Sequence, residues 1–151
     1  MRKLKYLFAL IGVAIMALSC ENGSHNTLDP KPNDSKCYKG TMSVDQNDGT
    51  FYTQQGVEVD YELKDGKLNF VMYKVKFASG MPIKLDMVVE GVEYFDNGTS
   101  LNISGNNLVP YAMGGPFEKF TITELIGEIS DSEFTLEFIC GEYPVTYHGT
   151  R

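Results

Sequence analysis

The chain has no tryptophan and only two histidines, His25 and His148. A histidine-centred nucleophile and base pair therefore has almost no material to draw on, and there is no Gly-x-Ser-x-Gly element to present a serine. Neither an HExxH nor a CxxC spacing occurs, so a zinc site lacks its usual ligands. These absences point away from an enzyme and from a bound cofactor or metal. Positive charge is also scarce, with 13 Lys+Arg against 20 Asp+Glu and a net charge of −7. An acidic surface repels phosphate backbones, which excludes nucleic acid as an expected partner. The uncharged, mostly apolar run Tyr6–Leu18 has 13 residues, short of the roughly 20 a spanning helix needs.

That short run has a use of its own. Arg2, Lys3 and Lys5 precede it, Ser19 and Cys20 close it, and Glu21 opens a polar stretch. Charged start, apolar middle and small residue before a cysteine make a lipoprotein-type export signal over 1–19, with Cys20 as the acyl acceptor. Each CH₂ buried in a bilayer contributes about 0.8 kcal/mol, so several acyl chains on one residue anchor it stably. The expected location is the bacterial cell envelope, lipid-anchored to the outer membrane, with the membrane contacted through the lipid. Without residues 1–19 the chain keeps 10 Lys+Arg against 20 Asp+Glu.

Residues 20–36 then form a tether. Glu21–Lys36 is rich in Asn, Pro, Ser and Gly, with Leu28 its one large apolar residue, too little to bury a core. From Cys37 the apolar period becomes two. Tyr38, Met42 and Val44 alternate with polar residues, as do Val57, Val59, Tyr61 and Leu63. Asp65-Gly66 signals a tight hairpin, and Lys67–Phe77 reads as the returning strand, apolar on both faces in its middle. Ile83, Leu85, Met87 and Val89 alternate again before a turn at Asp96-Asn97-Gly98. Phe120, Ile122 and Ile126, then Phe134 to Cys140, then Tyr143, Val145 and Tyr147 complete the pattern. Short strands, frequent turn signals and no βα alternation imply one all-β domain over 37–151, an antiparallel sandwich or barrel.

Other features have plainer alternatives. Asp45-Gln-Asn47-Asp48-Gly49 has a calcium-loop look, but its glycine comes one residue early and the distal Glu is missing, so a turn is expected. Glu58, Asp60 and Glu62 put three carboxylates on one strand face, which ordinarily faces water. Cys37 and Cys140 either bridge the first strand to a late one or are two separate buried thiols. Ser104–Glu118 is broken by Gly and Pro yet carries Leu108, Val109, Tyr111, Met113 and Phe117; it is either a lid or a crossover whose apolar residues plug one end.

Tyr38-Lys-Gly40, Lys76-Phe77-Ala-Ser-Gly-Met81-Pro82, Lys119-Phe120-Thr-Ile122-Thr and Gly141-Glu-Tyr143-Pro144-Val145-Thr-Tyr147-His-Gly149 resemble the calycin-like lipoproteins of Bacteroidetes. The resemblance covers Tyr38 to Gly149. It implies a single antiparallel calycin or lipocalin-like β-barrel of about eight strands, first and last paired, with no activity or catalytic residues to carry over. The Gly-x-Trp element of lipocalins is absent. In a wide barrel, Tyr73, Phe77, Met81, Met87, Tyr94, Tyr111 and Met113 would line a cavity for a small apolar or amphipathic ligand. In a narrow one they are core, and the domain works instead as an interaction module, binding protein or glycan through its loops or acting as an inhibitor.

Overall fold

The computed structural model describes residues 37–151. The export signal expected over 1–19, the expected acyl acceptor Cys20 and the expected tether over 20–36 lie outside them.

The alternating segments pair in chain order. β1 (Tyr38–Asp45), β2 (Phe51–Lys64), β3 (Lys67–Val75), β4 (Leu85–Asp96) and β5 (Leu101–Gly105) form a meander of antiparallel neighbours. A crossover follows, holding the two-residue strands β6 (Tyr111–Ala112) and β7 (Gly115–Pro116) and a 3₁₀ turn at Glu118–Phe120. The meander resumes with β8 (Ile122–Ile129), β9 (Glu133–Cys140) and β10 (Tyr143–Thr150). β10 then pairs with β1, from Lys39↔Thr150 to Val44↔Val145, and closes an eight-stranded antiparallel barrel. β6 and β7 form a small hairpin that pairs edge to edge with β4 through Val88↔Tyr111.

Because the strands alternate in direction, the barrel has two unlike ends. Tight turns at 65–66, 97–100 and 130–132 gather at one, together with Cys37 and Arg151. The connections 46–50, 76–84, 106–121 and 141–142 gather at the other. The turns follow their sequence. Asp65 (φ 52°) and Gly66 (φ 74°) both have positive φ, which gives the two-residue turn whose twist matches its strands. At 96–100, Asn97 Oδ1 accepts from the Thr99 and Ser100 amides. The 45–50 segment is a turn, as expected. Asp48 accepts from the Thr50 N–H and hydroxyl, which hold its carboxyl below its ordinary value.

Inward side chains meet across the axis. At the turn end Phe134 of β9 contacts Tyr38, Tyr61, Phe70 and Tyr147, with ring centroids 5.4–6.3 Å apart and near-perpendicular planes. Met42, Met72, Met87 and Leu136 are buried in the interior. At the loop end Phe77, Phe120 and Phe117 stack tilted, at 5.5 and 4.9 Å.

Four bulges bend the wall. Gly56, Lys74, Gly91 and Glu124 have positive φ and lie at or beside the register shifts of β1–β2, β3–β4 and β8–β9. At three of them a neighbouring side chain accepts the backbone N–H. Asp86 Oδ1 takes Lys74 (2.9 Å), Asn69 Oδ1 takes Gly91 (3.0 Å) and Asn106 Oδ1 takes Glu124 (3.2 Å). The bulge at Glu124 also shifts the phase of β8, so Leu125 points inward and Ile126 outward. Ile126 thus leaves the buried set in which simple alternation put it.

Cys37 and Cys140 are not bridged. Cys37 precedes β1 at the turn end, while Cys140 lies level with the far end of β1, through Cys140↔Tyr143 and Val44↔Val145. At about 3.3 Å per residue, that is several times the roughly 7 Å limit on Cα separation for a disulfide. Of the alternative, two separate buried thiols, Cys140 is buried as expected while Cys37 is partly exposed.

Closure depends on glycine where β1 meets β10. A Cβ on Gly40 would collide with the His148 carbonyl, and one on Gly149 with the Tyr147 hydroxyl. Gly40→Ala should therefore cost about 1–3 kcal/mol or more, read by urea unfolding. Gly80→Ala, which adds a methyl to open space, should change stability by less than about 0.5 kcal/mol. Equal losses would show that the close approach at Gly40 is not limiting.

Candidate functional site

The seven residues expected to line a cavity do not share one. Met87 is buried among the inward side chains of β4. Phe77 is buried in the loop-end plug, and Met81 folds back under it, its Sδ accepting the Phe77 N–H at 3.2 Å. Tyr94 packs partly buried against the core toward the turn end. Tyr73 points out of the barrel. Tyr111 and Met113 lie on the small hairpin, 46% and 71% exposed. The crossover divides in the same way: Leu108 and Phe117 pack partly buried against the core, while Val109, Tyr111 and Met113 stay in solvent. It serves as a plug and also presents an apolar surface.

The stripe Glu58, Asp60, Glu62 lies on the outward face of β2, but Asp60 is not in water. It is 3% exposed, roofed by Tyr73 from the neighbouring strand, whose hydroxyl donates to Asp60 Oδ2 at 3.0 Å. Burial first, and the Asp60 carboxylate second, push the Tyr73 phenol up from its ordinary value. Tyr147 is raised mainly by burial. Its hydroxyl crosses above Gly149 to donate to the Val57 carbonyl at 3.1 Å. Burial also raises the Cys140 thiol, which sits 3.7 Å from the Phe120 carbonyl oxygen. A thiol so protonated is a poor nucleophile and metal ligand. Among the described residues no three His, Cys, Asp or Glu side chains cluster as metal ligands.

The outer wall carries an open depression of about 770 Å³ across β5, β8, β9, β10 and β1. Thr41, Ser43, Thr135 and Thr146 line it with hydroxyls, Glu128 and Glu137 with carboxylates, and Ile126 with an apolar side chain. His148 stands at its side, Nε2 3.6 Å from Glu133 Oε1, with both groups exposed. Inward alternation draws attention to the core, so this outer set was not singled out from sequence. Its signal was the complementary phase of small hydroxyl residues on β1 and β10.

Comparison of the chain with protein-family models, curated proteins and solved structures finds no match.

The raised phenols of Tyr73 and Tyr147, the two that burial chiefly shifts, fix a pH dependence. A group whose pKa is higher in the fold than in the unfolded chain contributes stability in full below the unfolded value, here 10.0, and loses it as pH rises beyond. Urea midpoints should therefore fall above about pH 10, and fall less steeply in Tyr73→Phe, which has no such proton to lose. An unchanged slope in Tyr73→Phe would remove that phenol from the account.

Proposed function

We propose that the chain is a lipid-anchored cell-envelope protein whose barrel is a rigid scaffold for contact with another protein. The side chains packed at both ends of the interior carry this reading. Aromatic rings from five strands meet at Phe134, and three more pack together at the loop end. Binding then belongs to the outside. The hairpin of β6 and β7 offers Val109, Tyr111 and Met113, a tyrosine and a methionine held on a short, tightly turned element. Tyr and Met are enriched in the cores of protein contacts. The calycin-like resemblance and the export signal at Cys20 agree with this placement. The chain enters the barrel at the turn end, and the connection bearing the hairpin leaves from the loop end.

Two experiments test the proposal. Cys20→Ser should move the chain from the membrane fraction to the soluble one and abolish incorporation of labelled fatty acid; retention of label would assign the acyl group elsewhere. Chemical cross-linking in intact cells should join the full chain to a protein partner. Tyr111→Ser with Met113→Ser should reduce that product about tenfold or more, the loss expected of a contact centre, with the urea midpoint unchanged. Undiminished cross-linking, or a small apolar molecule retained by the full chain in native mass spectrometry after exposure to lipid extract, would overturn the hairpin reading.

A further inference from the structure

β2 has fourteen residues, but β3 covers only its second part, from Val59↔Met72 to Lys64↔Lys67. From Phe51 to Glu58, β2 pairs with β1 on one side and, among the described residues, with no strand on the other. β3 departs at the Lys74 bulge, where it turns toward Leu85 on β4. The barrel wall therefore carries a seam near its loop end.

The main-chain phase along this seam follows from the adjoining turn. Gln46 N–H donates to the Thr50 carbonyl at 3.0 Å. In an antiparallel ladder bonded and non-bonded pairs alternate, so Tyr52 opposite Val44 and Gln54 opposite Met42 direct their amides and carbonyls at β1. Phe51 and Thr53 direct theirs into the seam, and both residues are exposed, Phe51 to 67%. The Gln54 side chain crosses the gap. Its Nε2 donates to the Lys74 carbonyl at 2.6 Å, while its Oε1 is buried with no donor among the described residues.

Lysines and carboxylates both stand near the seam, with Asp86 Oδ1 accepting the Lys74 N–H and Glu58 opposite Lys39. Lys74 and Lys76 stand along the β3 margin, with Lys76 Nζ 5.9 Å from the centre of the Tyr52 ring. The stem of Lys39 lies over Gly56, its Cε 3.4 Å from where a Cβ would stand. Among the described residues none of the three lysines is in an ion pair.

We propose that the Phe51–Gln55 edge of β2 is a strand-addition site for an extended segment of a partner protein that carries carboxylate side chains. Such a segment completes the ladder through the outward groups of Phe51 and Thr53. Its carboxylates pair with the lysines. A second copy of this chain fits poorly, because it would bring the same three lysines to the same edge. The site is separate from the hairpin of β6 and β7.

The test uses the full chain in detergent and a fluorescent eight-residue peptide of alternating Thr and Glu, followed by anisotropy. Saturable binding is expected. It should weaken about tenfold or more, equivalent to about 1.4 kcal/mol, in Thr53→Pro, which removes one outward N–H and none that bonds β1. Lys74→Glu with Lys76→Glu should weaken it to a similar degree, and Tyr111→Ser with Met113→Ser should leave it unchanged. The same peptide with every amide N-methylated keeps its carboxylates but cannot join a ladder, and should not bind. That control stands even where Thr53→Pro fails to fold. Equal binding of the methylated peptide, or no saturable binding of the parent peptide, would overturn the proposal.

Discussion

The structure depends first on how β1 meets β10. A meander of eight strands leaves two edges with unpaired amides unless its ends join, and a closed barrel is the arrangement that removes them. Here the joining strands approach so closely that Gly40 cannot carry a side chain past the His148 carbonyl. The space that Gly149 leaves inside is taken by the Tyr147 hydroxyl, which reaches across β1 to the Val57 carbonyl on β2. One tyrosine thus ties the last strand to the second across the first. The cost of burying its polar end is met by a hydrogen bond, which a phenylalanine at this position could not make.

Closing a small barrel also demands bends, and each bend releases a backbone amide. Asn69, Asp86 and Asn106 stand where Lys74, or the bulges at Gly91 and Glu124, need an acceptor. The glutamines work similarly at the loop end. Gln46 donates to the Val44 and Phe77 carbonyls and accepts from the Ser79 amide, and Gln54 reaches Lys74. Where two strands diverge, these side chains take the place of ladder bonds. Their chemistry is that of a wall held together although not every rung is backbone.

Sequence carried the strands well because period two survives wherever the ladder is regular. Val57, Val59 and Tyr61 point inward as alternation requires, and the turn at Asp65-Gly66 falls where its dipeptide put it. Alternation fails at the bulges. Glu124 looks like any strand residue, yet its positive φ turns Ile126 outward. Burial on the outer wall was equally hidden. Nothing local distinguishes Asp60 from Glu58 and Glu62, and it is covered because Tyr73 arrives from the next strand. The seven aromatic and methionine residues marked for a cavity have the right chemistry but scatter among core, plug and outer wall. Whether inward residues line a space or fill it depends on barrel diameter, which the period of a strand does not encode. Cys37 and Cys140 show the same limit, since only the register places them at opposite ends.

The packed interior has a consequence for how such a domain acquires specificity. A hollow barrel selects partners by the shape of its cavity. This one has aromatic clusters at both ends of its interior, and the proposed recognition uses what the wall holds outward. Rigidity is useful there, because a surface whose backbone is already fixed loses little conformational entropy on binding. The hairpin of β6 and β7 has that support from β4 through Val88, and the upper part of β2 has it from β1. The two surfaces differ in chemistry, one apolar side chains and the other bare main chain beside lysines. A contact that uses main-chain groups takes its affinity from the backbone and its selectivity from neighbouring charge. In the proposed strand addition, against a chain of net charge −7, the lysines along the seam set that selectivity.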